Sequence, residues 1–220
     1  MTRTRIKICG ITREEDLRAA LTAGADAIGF VFYPPSPRYL EPMQARQLAA
    51  CVPAFVTRVG LFVNALPAQV NALLSSVPID LLQFHGDEDA SYCSQFGKPW
   101  IKAIRMRPGV DLLESAAQFS AAQALLVDAF VEGYGGGGQS FDWSLIPKSL
   151  PIPLILSGGL SPANVREAIR SVRPWAVDVS SGVEAAGGTS ESTGHKGIKD
   201  ARKIEEFVAG VRDADAGFTL

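Results

Sequence analysis

Cysteine is scarce in this chain: the three residues at positions 9, 51 and 93 are an odd number and lie far apart among 220 residues. No CxxC or CxxH pair occurs, and the chain has only two histidines. A disulfide framework needs paired thiols and a structural zinc site needs closely spaced ligands, so neither fits this pattern. We therefore expect reduced thiols and no bound metal.

An excess of charge is also absent, because 21 basic residues stand against 23 acidic residues and leave a formal net charge of −2. Without a basic stripe, the chain is not expected to bind nucleic acid or an anionic membrane surface. No apolar run approaches the roughly 18 residues of a membrane span, and no apolar signal segment follows Met1. These absences predict a cytoplasmic protein.

The chain does contain a regular alternation of short apolar runs and stretches of helical period. Strand candidates lie near residues 5–9, 26–31, 56–63, 80–84, 100–104, 124–128, 152–156 and 176–180. Helices are predicted at 13–23, 42–51, 67–75, 88–96, 110–119, 161–171 and 198–211, with only a turn or two near 144–146. Eight such units predict a parallel sheet closed into a single (β/α)8 barrel, or TIM barrel, of the α/β class. An open doubly wound sheet is the alternative.

The glycine run Gly135–Gly138 follows the sixth predicted strand and is either a functional loop or a linker between two domains. A linker would divide two self-sufficient patterns. The alternation of strands and helices instead resumes unchanged at Ile152. We therefore expect one domain that covers residues 1–220.

Cys9 stands where the first predicted strand breaks into a glycine turn. Side chains alternate along a strand, so Cys9 shares one face with Lys7 while Ile6 and Ile8 share the other. The loops that follow the strands form the mouth of a TIM barrel, where a thiol can face a ligand. The alternative is a small buried cysteine with no chemical role.

Two further loops carry groups suited to acid–base chemistry and anion binding. Asp128 closes an apolar run, so its partly desolvated carboxyl group can serve as a general acid at the mouth, or can cap a loop. Arg38 follows a stiff proline-rich segment and can clamp a carboxylate, or can lie in solvent on the surface. Both residues are candidates for the site.

Small residues follow the last two predicted strands: Gly158 and Gly159 after the seventh, and Ser180, Ser181 and Gly182 after the eighth. Such loops expose backbone N–H groups, and barrels frequently build a phosphate site there. The alternative is that these glycines only make tight turns.

Four other polar positions are given no chemical step. Gln83 and His85 share a face of the fourth predicted strand, where a structural histidine is the favoured interpretation. Lys7 and Asp178 point into the barrel from the first and last strands, which adjoin on closure. We expect these two to form a buried ion pair.

The chain resembles the phosphoribosylanthranilate isomerase family along nearly its whole length. The resemblance is carried by KICGIT at 7–12, GADAIGFVFYPPSPRY at 24–39, RVGLFVN at 58–64, LLQFHG at 81–86, LLVDA at 125–129, GYGGGGQSFDW at 133–143, LSGGLSPANV at 156–165 and AVDVSSGVE at 176–184. It implies a TIM barrel that performs an Amadori rearrangement of N-(5-phosphoribosyl)anthranilate, without cofactor or metal. The partner is then a small phosphosugar, and the chain is expected to be a monomer or a homodimer.

The resemblance also implies roles for the candidate residues. The family's general base falls on Cys9, its general acid on Asp128 and its anthranilate-binding arginine on Arg38. Its phosphate contacts fall on Gly158, Gly159, Ser180, Ser181 and Gly182, and its cover loop falls on Gly135, Gly136, Gly137 and Gly138. One departure is the insertion at residues 185–196, which leaves the geometry of the last loop open.

Two rival functions share parts of this pattern. Another phosphosugar barrel enzyme of histidine or tryptophan biosynthesis would differ at the strand ends: the histidine-pathway isomerase has an aspartate in place of Cys9, and indoleglycerol-phosphate synthase relies on lysines and glutamates that are absent here at the matching ends. A non-catalytic phosphoribosyl-binding sensor would keep the phosphate loops without needing both proton-transfer groups. The presence of both favours the isomerase.

Overall fold

The computed structural model describes residues 3–130, 141–185 and 196–217. Strands and helices alternate as β1 (Arg5–Cys9), α1 (Glu14–Ala23), β2 (Ala27–Val31), α2 (Pro42–Ala50), β3 (Thr57–Phe62), α3 (Pro67–Ser76), β4 (Leu81–Phe84), α4 (Ala90–Ser94), β5 (Trp100–Met106), α5 (Leu112–Gln118), β6 (Leu125–Ala129), β7 (Leu154–Leu156), α6 (Val165–Val172), β8 (Ala176–Val179) and α7 (Ala201–Ala216). Short 3₁₀ turns cover Trp143–Leu145 and Ser181–Val183.

All eight strands are parallel and close into one barrel in chain order, with β1 paired to β8 through the register Lys7↔Asp178. The predicted TIM barrel is therefore confirmed, and the open doubly wound sheet is wrong. Because the strands are parallel, closure brings the C-terminal ends of all eight to one face of the barrel, the mouth, where sites of this fold lie.

Successive side chains along each strand point alternately to the helices outside the barrel and to its interior, which gives two buried regions. In β1, Ile6 and Ile8 belong to the large core between the sheet and the helices, while Cys9 faces the barrel interior. A smaller cluster fills the lower interior of the barrel with Ile101, Ala103, Ala124, Leu126, Ile155 and Ala176. Apolar side chains therefore fill much of the barrel interior at the end opposite the mouth.

Helix α6 begins later than the sequence predicts. The sequence predicts a helix over 161–171, with Ser161 as a local capping signal and Pro162 after it, but the helix begins at Val165 with Asn164 at its N-cap position. The Asn164 side chain accepts a hydrogen bond from the Ser161 N–H and donates one to the Gly159 carbonyl, at 2.8 and 2.9 Å. These two bonds stabilise a turn before the helix and extend the loop after β7.

Among the described residues, no helix combines the length and the apolar character needed to cross a membrane.

Candidate active site

Cys9 lies at the mouth end of β1, buried at 5% exposure against Val31, Leu61 and Val63. Burial raises the pKa of its thiol, and the nearby Lys7 ammonium partly opposes that shift. At neutral pH the thiol is therefore mostly protonated when no ligand is bound.

Lys7 forms the buried ion pair that the sequence predicts. Its Nζ lies 2.8 Å from Oδ1 of Asp178, and both side chains are about nine-tenths or more buried. The pair joins β1 to β8 below Cys9, and it places the Lys7 ammonium, neutralised by Asp178, near the thiol. A charge at this depth needs such a partner, because the desolvation cost of an unpaired ammonium is on the order of several kcal/mol.

Asp128 lies near the mouth end of β6, with 7% of its surface exposed. Its Oδ1 accepts a hydrogen bond from the Ala129 N–H at 3.0 Å, and its Oδ2 lies 3.1 Å from Nε2 of His85. Gly158, with φ +81°, packs so closely here that a Cβ at this position would lie 3.0 Å from Oδ1. The loop after β7 thus packs directly against the carboxyl group.

Arg38 is buried at 8% exposure, so the alternative of a solvated surface arginine is wrong. Its Nε and Nη2 bind the two oxygens of Glu184 at 2.7 and 3.0 Å. Gly10, with φ +74°, makes room for this arm, since a Cβ there would lie 2.5 Å from Arg38 Cδ. The Arg38 side chain therefore packs directly against the turn that follows Cys9.

Lys199 completes a cluster of two cations and one carboxylate. Its Nζ lies 3.0 Å from Glu184 Oε1 and donates to the carbonyl and hydroxyl oxygens of Ser180, at 3.1 and 3.2 Å. Burial acts to raise the pKa of Glu184, but Arg38 and Lys199 hold that pKa below its usual value. Burial lowers the pKa of Lys199. The cluster links Arg38 to the loop after β8.

The predicted phosphate residues lie in two adjoining loops. Gly158 and Gly159 both have positive φ, at +81° and +66°. Ser181 and Gly182 belong to the 3₁₀ turn after β8, and the Ser180 hydroxyl donates to the Cys9 carbonyl at 3.0 Å. Because the Ser180 side chain is engaged within the protein, backbone N–H groups are the donors that these loops can offer an anion.

The residues on either side of the insertion at 185–196 are held together by backbone contacts. Glu184 and Lys199 form an antiparallel bridge, and the Ala185 N–H donates to the Ile198 carbonyl at 3.0 Å. The predicted cover loop, Gly135–Gly138, lies outside the described residues.

Comparison with known proteins agrees with this geometry. The family model for N-(5'phosphoribosyl)anthranilate (PRA) isomerase matches residues 6–210. The chain is 61% identical to the N-(5'-phosphoribosyl)anthranilate isomerase of Dechloromonas aromatica over 213 residues, which cover 97% of this chain and 98% of the relative. The chain belongs to the phosphoribosylanthranilate isomerase family. It is accordingly an isomerase of tryptophan biosynthesis.

Two solved structures of phosphoribosylanthranilate isomerases support the same assignment. The enzyme from Thermotoga maritima superposes with a TM-score of 0.84 at 41% identity, covering 96% of this chain and 99% of that one. A second isomerase structure, in complex with reduced 1-(o-carboxyphenylamino)-1-deoxyribulose 5-phosphate, gives a TM-score of 0.79 at 40% identity, with the same coverage.

Sequence reasoning missed two members of the isomerase pocket, Glu184 and Lys199. Glu184 lies within a motif that carries the resemblance, but a lone glutamate after a serine-rich turn gives no sign of its partner. Arg38 is 146 residues away in the chain, and only barrel closure brings the two together. The pairing of His85 with Asp128 was missed for the same reason.

The three thiols of this isomerase should differ in reactivity. Cys51 is exposed, whereas Cys9 and Cys93 are buried, and burial raises the pKa of both buried thiols, that of Cys93 to about 12. Since the thiolate is the nucleophile, iodoacetamide at neutral pH is expected to label Cys51 first. Peptide mass spectrometry over a time course measures this order. Labelling of Cys9 as fast as Cys51 would contradict the burial of the catalytic candidate.

Proposed function

We propose that this member of the family converts N-(5-phosphoribosyl)anthranilate into 1-(2-carboxyphenylamino)-1-deoxyribulose 5-phosphate, with Asp128 as general acid and Cys9 as general base. The observation that carries the proposal is the position of these two groups. They lie at the mouth ends of β6 and β1, two strands that are not neighbours in the barrel, so a ligand in the mouth can lie between them.

Ring opening is the first step, and Asp128 supplies its proton. The bond between C1 and the furanose oxygen breaks, the oxygen takes the proton, and the lone pair of the anthranilate nitrogen forms a cationic imine at C1. The Ala129 N–H donates a hydrogen bond to Oδ1 of Asp128, which limits the orientation of its carboxyl group during the transfer. Such a positioned acid contributes about 10²- to 10⁴-fold to the rate.

Removal of the C2 proton is the second step, and Cys9 takes that proton. The electrons of the C–H bond form the C1=C2 double bond and neutralise the imine nitrogen, which gives an enaminol. The enaminol then becomes the ketone when C1 gains a proton and the C2 hydroxyl loses one. The cationic imine beside Cys9 favours the thiolate at the moment when a base is needed, and this offsets the raised pKa of the buried thiol.

Arg38 is proposed to bind the anthranilate carboxylate. Glu184 holds its Nε and Nη2, so the guanidinium is fixed in place before the substrate arrives. Two cations, Arg38 and Lys199, stand against one carboxylate in this cluster, and an anionic substrate group balances the remaining positive charge. Preorganised charge of this kind favours the carboxylated aromatic ring over a neutral one.

The phosphate is proposed to lie on the two loops that follow β7 and β8. Gly158, Gly159, Ser180, Ser181 and Gly182 offer backbone N–H groups there, and Lys199 adds a cation next to Ser180. Gly135–Gly138 are proposed to cover the bound substrate, because loop closure would exclude water from the reactive imine.

Three expectations from the sequence stay predictions. They are a cytoplasmic location, a single domain over residues 1–220, and a monomeric or homodimeric state. Light scattering of the purified chain measures the last of these directly.

An activity assay tests the proposed function. Phosphoribosylanthranilate is prepared in place from anthranilate, and its fluorescence is expected to fall as the purified protein converts it. Product formation is verified by mass spectrometry with authentic product as standard. If well-folded protein leaves the fluorescence unchanged, the proposed reaction is wrong.

Arg38→Ala is expected to raise KM at least about 10-fold with a smaller effect on kcat, because a hydrogen-bonded charge pair is lost from substrate binding. Steady-state kinetics measure this effect. The control is a substrate made from aniline, which lacks the carboxylate and should bind the parent protein and the Arg38→Ala variant equally weakly. An equal KM penalty with both substrates would remove Arg38 from carboxylate recognition.

A further inference from the structure

A chain of three buried polar side chains reaches the acid candidate from inside the barrel. Gln83 and His85 are 0% and 6% exposed, and both extend from β4 or its end. The Gln83 amide nitrogen lies 3.0 Å from His85 Nδ1, and His85 Nε2 lies 3.1 Å from Asp128 Oδ2. Neither Gln83 nor His85 has a step in the mechanism described above.

The order of donors along this chain defines the state of the imidazole. An amide nitrogen can only donate, so Nδ1 of His85 must accept and carry no proton. The neutral ring then has its proton on Nε2, which donates to Oδ2 of Asp128. This order holds for the amide orientation of the structure, in which the buried Oε1 of Gln83 has no hydrogen-bond partner among the described residues; the opposite orientation would place Oε1 against Nδ1 and require a proton there.

Buried charged side chains form hydrogen bonds with the backbone next to His85. Glu88 accepts hydrogen bonds from the N–H groups of Asn64 and Gly86 at 2.7 and 2.8 Å. The Lys102 ammonium lies 3.2 Å from Glu88 and donates to the Gly86 carbonyl at 2.6 Å. The loop after β4 is thus braced directly beside the imidazole, which gives His85 little freedom to move.

We propose that His85 is a positioning residue for the general acid and that Gln83 sets its tautomer. This proposal rests on the assignment of Asp128 as the acid. His85 holds Oδ2 while the Ala129 N–H holds Oδ1, so the plane of the carboxyl group is fixed towards the mouth. The imidazole is not the proton source, because loss of its Nε2 proton would leave an anionic ring buried beside a carboxyl group.

Nitrogen NMR of protein labelled with ¹⁵N-histidine tests the tautomer. The chain has only two histidines, and a His195→Ala variant identifies the signals of His85. At neutral pH we expect an unprotonated Nδ1 and a protonated Nε2. A protonated Nδ1, in either the other tautomer or the imidazolium, would overturn the proposal. The proposal also predicts that Gln83→Glu converts His85 to a form with a protonated Nδ1, because a carboxylate at that position can only accept.

Kinetics of two His85 variants test the role. His85→Ala is expected to lower kcat about 10- to 100-fold with KM nearly unchanged, because the carboxyl group loses its fixed orientation. His85→Gln, whose amide nitrogen can reach the position of Nε2 and donate to Asp128, should restore kcat to within about threefold of the parent. Equal impairment of both variants, or full activity of His85→Ala, contradicts positioning. If His85→Ala does not fold, an impaired but folded His85→Gln variant still contradicts it.

A double-variant cycle separates this proposal from the proposed function. In an Asp128→Asn background, His85→Ala should cause no further loss of kcat, because His85 acts only through Asp128. Full activity of Asp128→Asn alone would mean that the acid assignment has failed. An impaired Asp128→Asn protein that loses a further 10-fold or more on His85→Ala would mean that only the His85 proposal has failed.

Discussion

Replacing Asp128 with asparagine is expected to lower kcat at least about 100-fold while the protein still binds the reduced product analogue. Asparagine has nearly the same shape, and its amide oxygen can still accept one of the two hydrogen bonds, from Ala129 or from His85. It has no proton to transfer to the furanose oxygen, so ring opening must rely on water. Steady-state kinetics of the variant measure the loss, and calorimetry with the analogue measures binding.

The matched control for this substitution is Asp80→Asn. Asp80 precedes β4 at the opposite end of the barrel and binds Arg58, whose hydrogen bond holds the pKa of that carboxyl below its usual value. The same chemical change there should leave kcat unaltered and cost at most about 1 kcal/mol of stability, as expected for a partly exposed pair. Normal turnover by Asp128→Asn would show that another group delivers the proton.

The barrel could be predicted from the sequence because each strand is a short apolar run bounded by turns. All eight predicted strands are present, and most of their ends agree within about two residues with the structure. The start of α6 could not be predicted in this way. Ser161-Pro162 carries a strong local signal for a helix start, but the Asn164 side chain bonds across the turn and delays the helix by three residues beyond the proline.

The pocket was predictable only where a residue's position on its strand determines its location. Cys9 and Asp128 lie at the C-terminal ends of their strands, so a closed barrel must bring them to the mouth. Glu184 and Lys199 follow the last strand, and their role depends on a salt bridge to a residue from the second loop. No local pattern encodes that contact, because it arises from the order in which the strands close.

The raised pKa of Cys9 has a measurable consequence for the Asp128→Asn variant, in which the proposed acid no longer titrates. A base whose pKa is raised is protonated in a greater share of molecules at neutral pH, and this share falls as pH rises. If Cys9 is the base, the residual kcat/KM of Asp128→Asn should therefore increase as pH is raised above neutrality, up to the pKa of the thiol in the free enzyme. A flat profile of this variant across this range would argue against a thiol base.

Replacing Cys9 with serine is expected to lower kcat at least about 100-fold, again with the product analogue still bound. The hydroxyl group fills nearly the same volume, but it is a far weaker acid than a thiol, so the cationic imine cannot produce the alkoxide needed to remove the C2 proton. The matched control is Cys93→Ser: Cys93 is fully buried in α4, outside the barrel mouth, and this variant should lose stability without losing turnover. In the Asp128→Asn background, the pH-dependent rise in kcat/KM should also vanish when Cys9→Ser is added and persist when Cys93→Ser is added. A Cys9→Ser enzyme with parental kcat would assign the C2 proton to a different base.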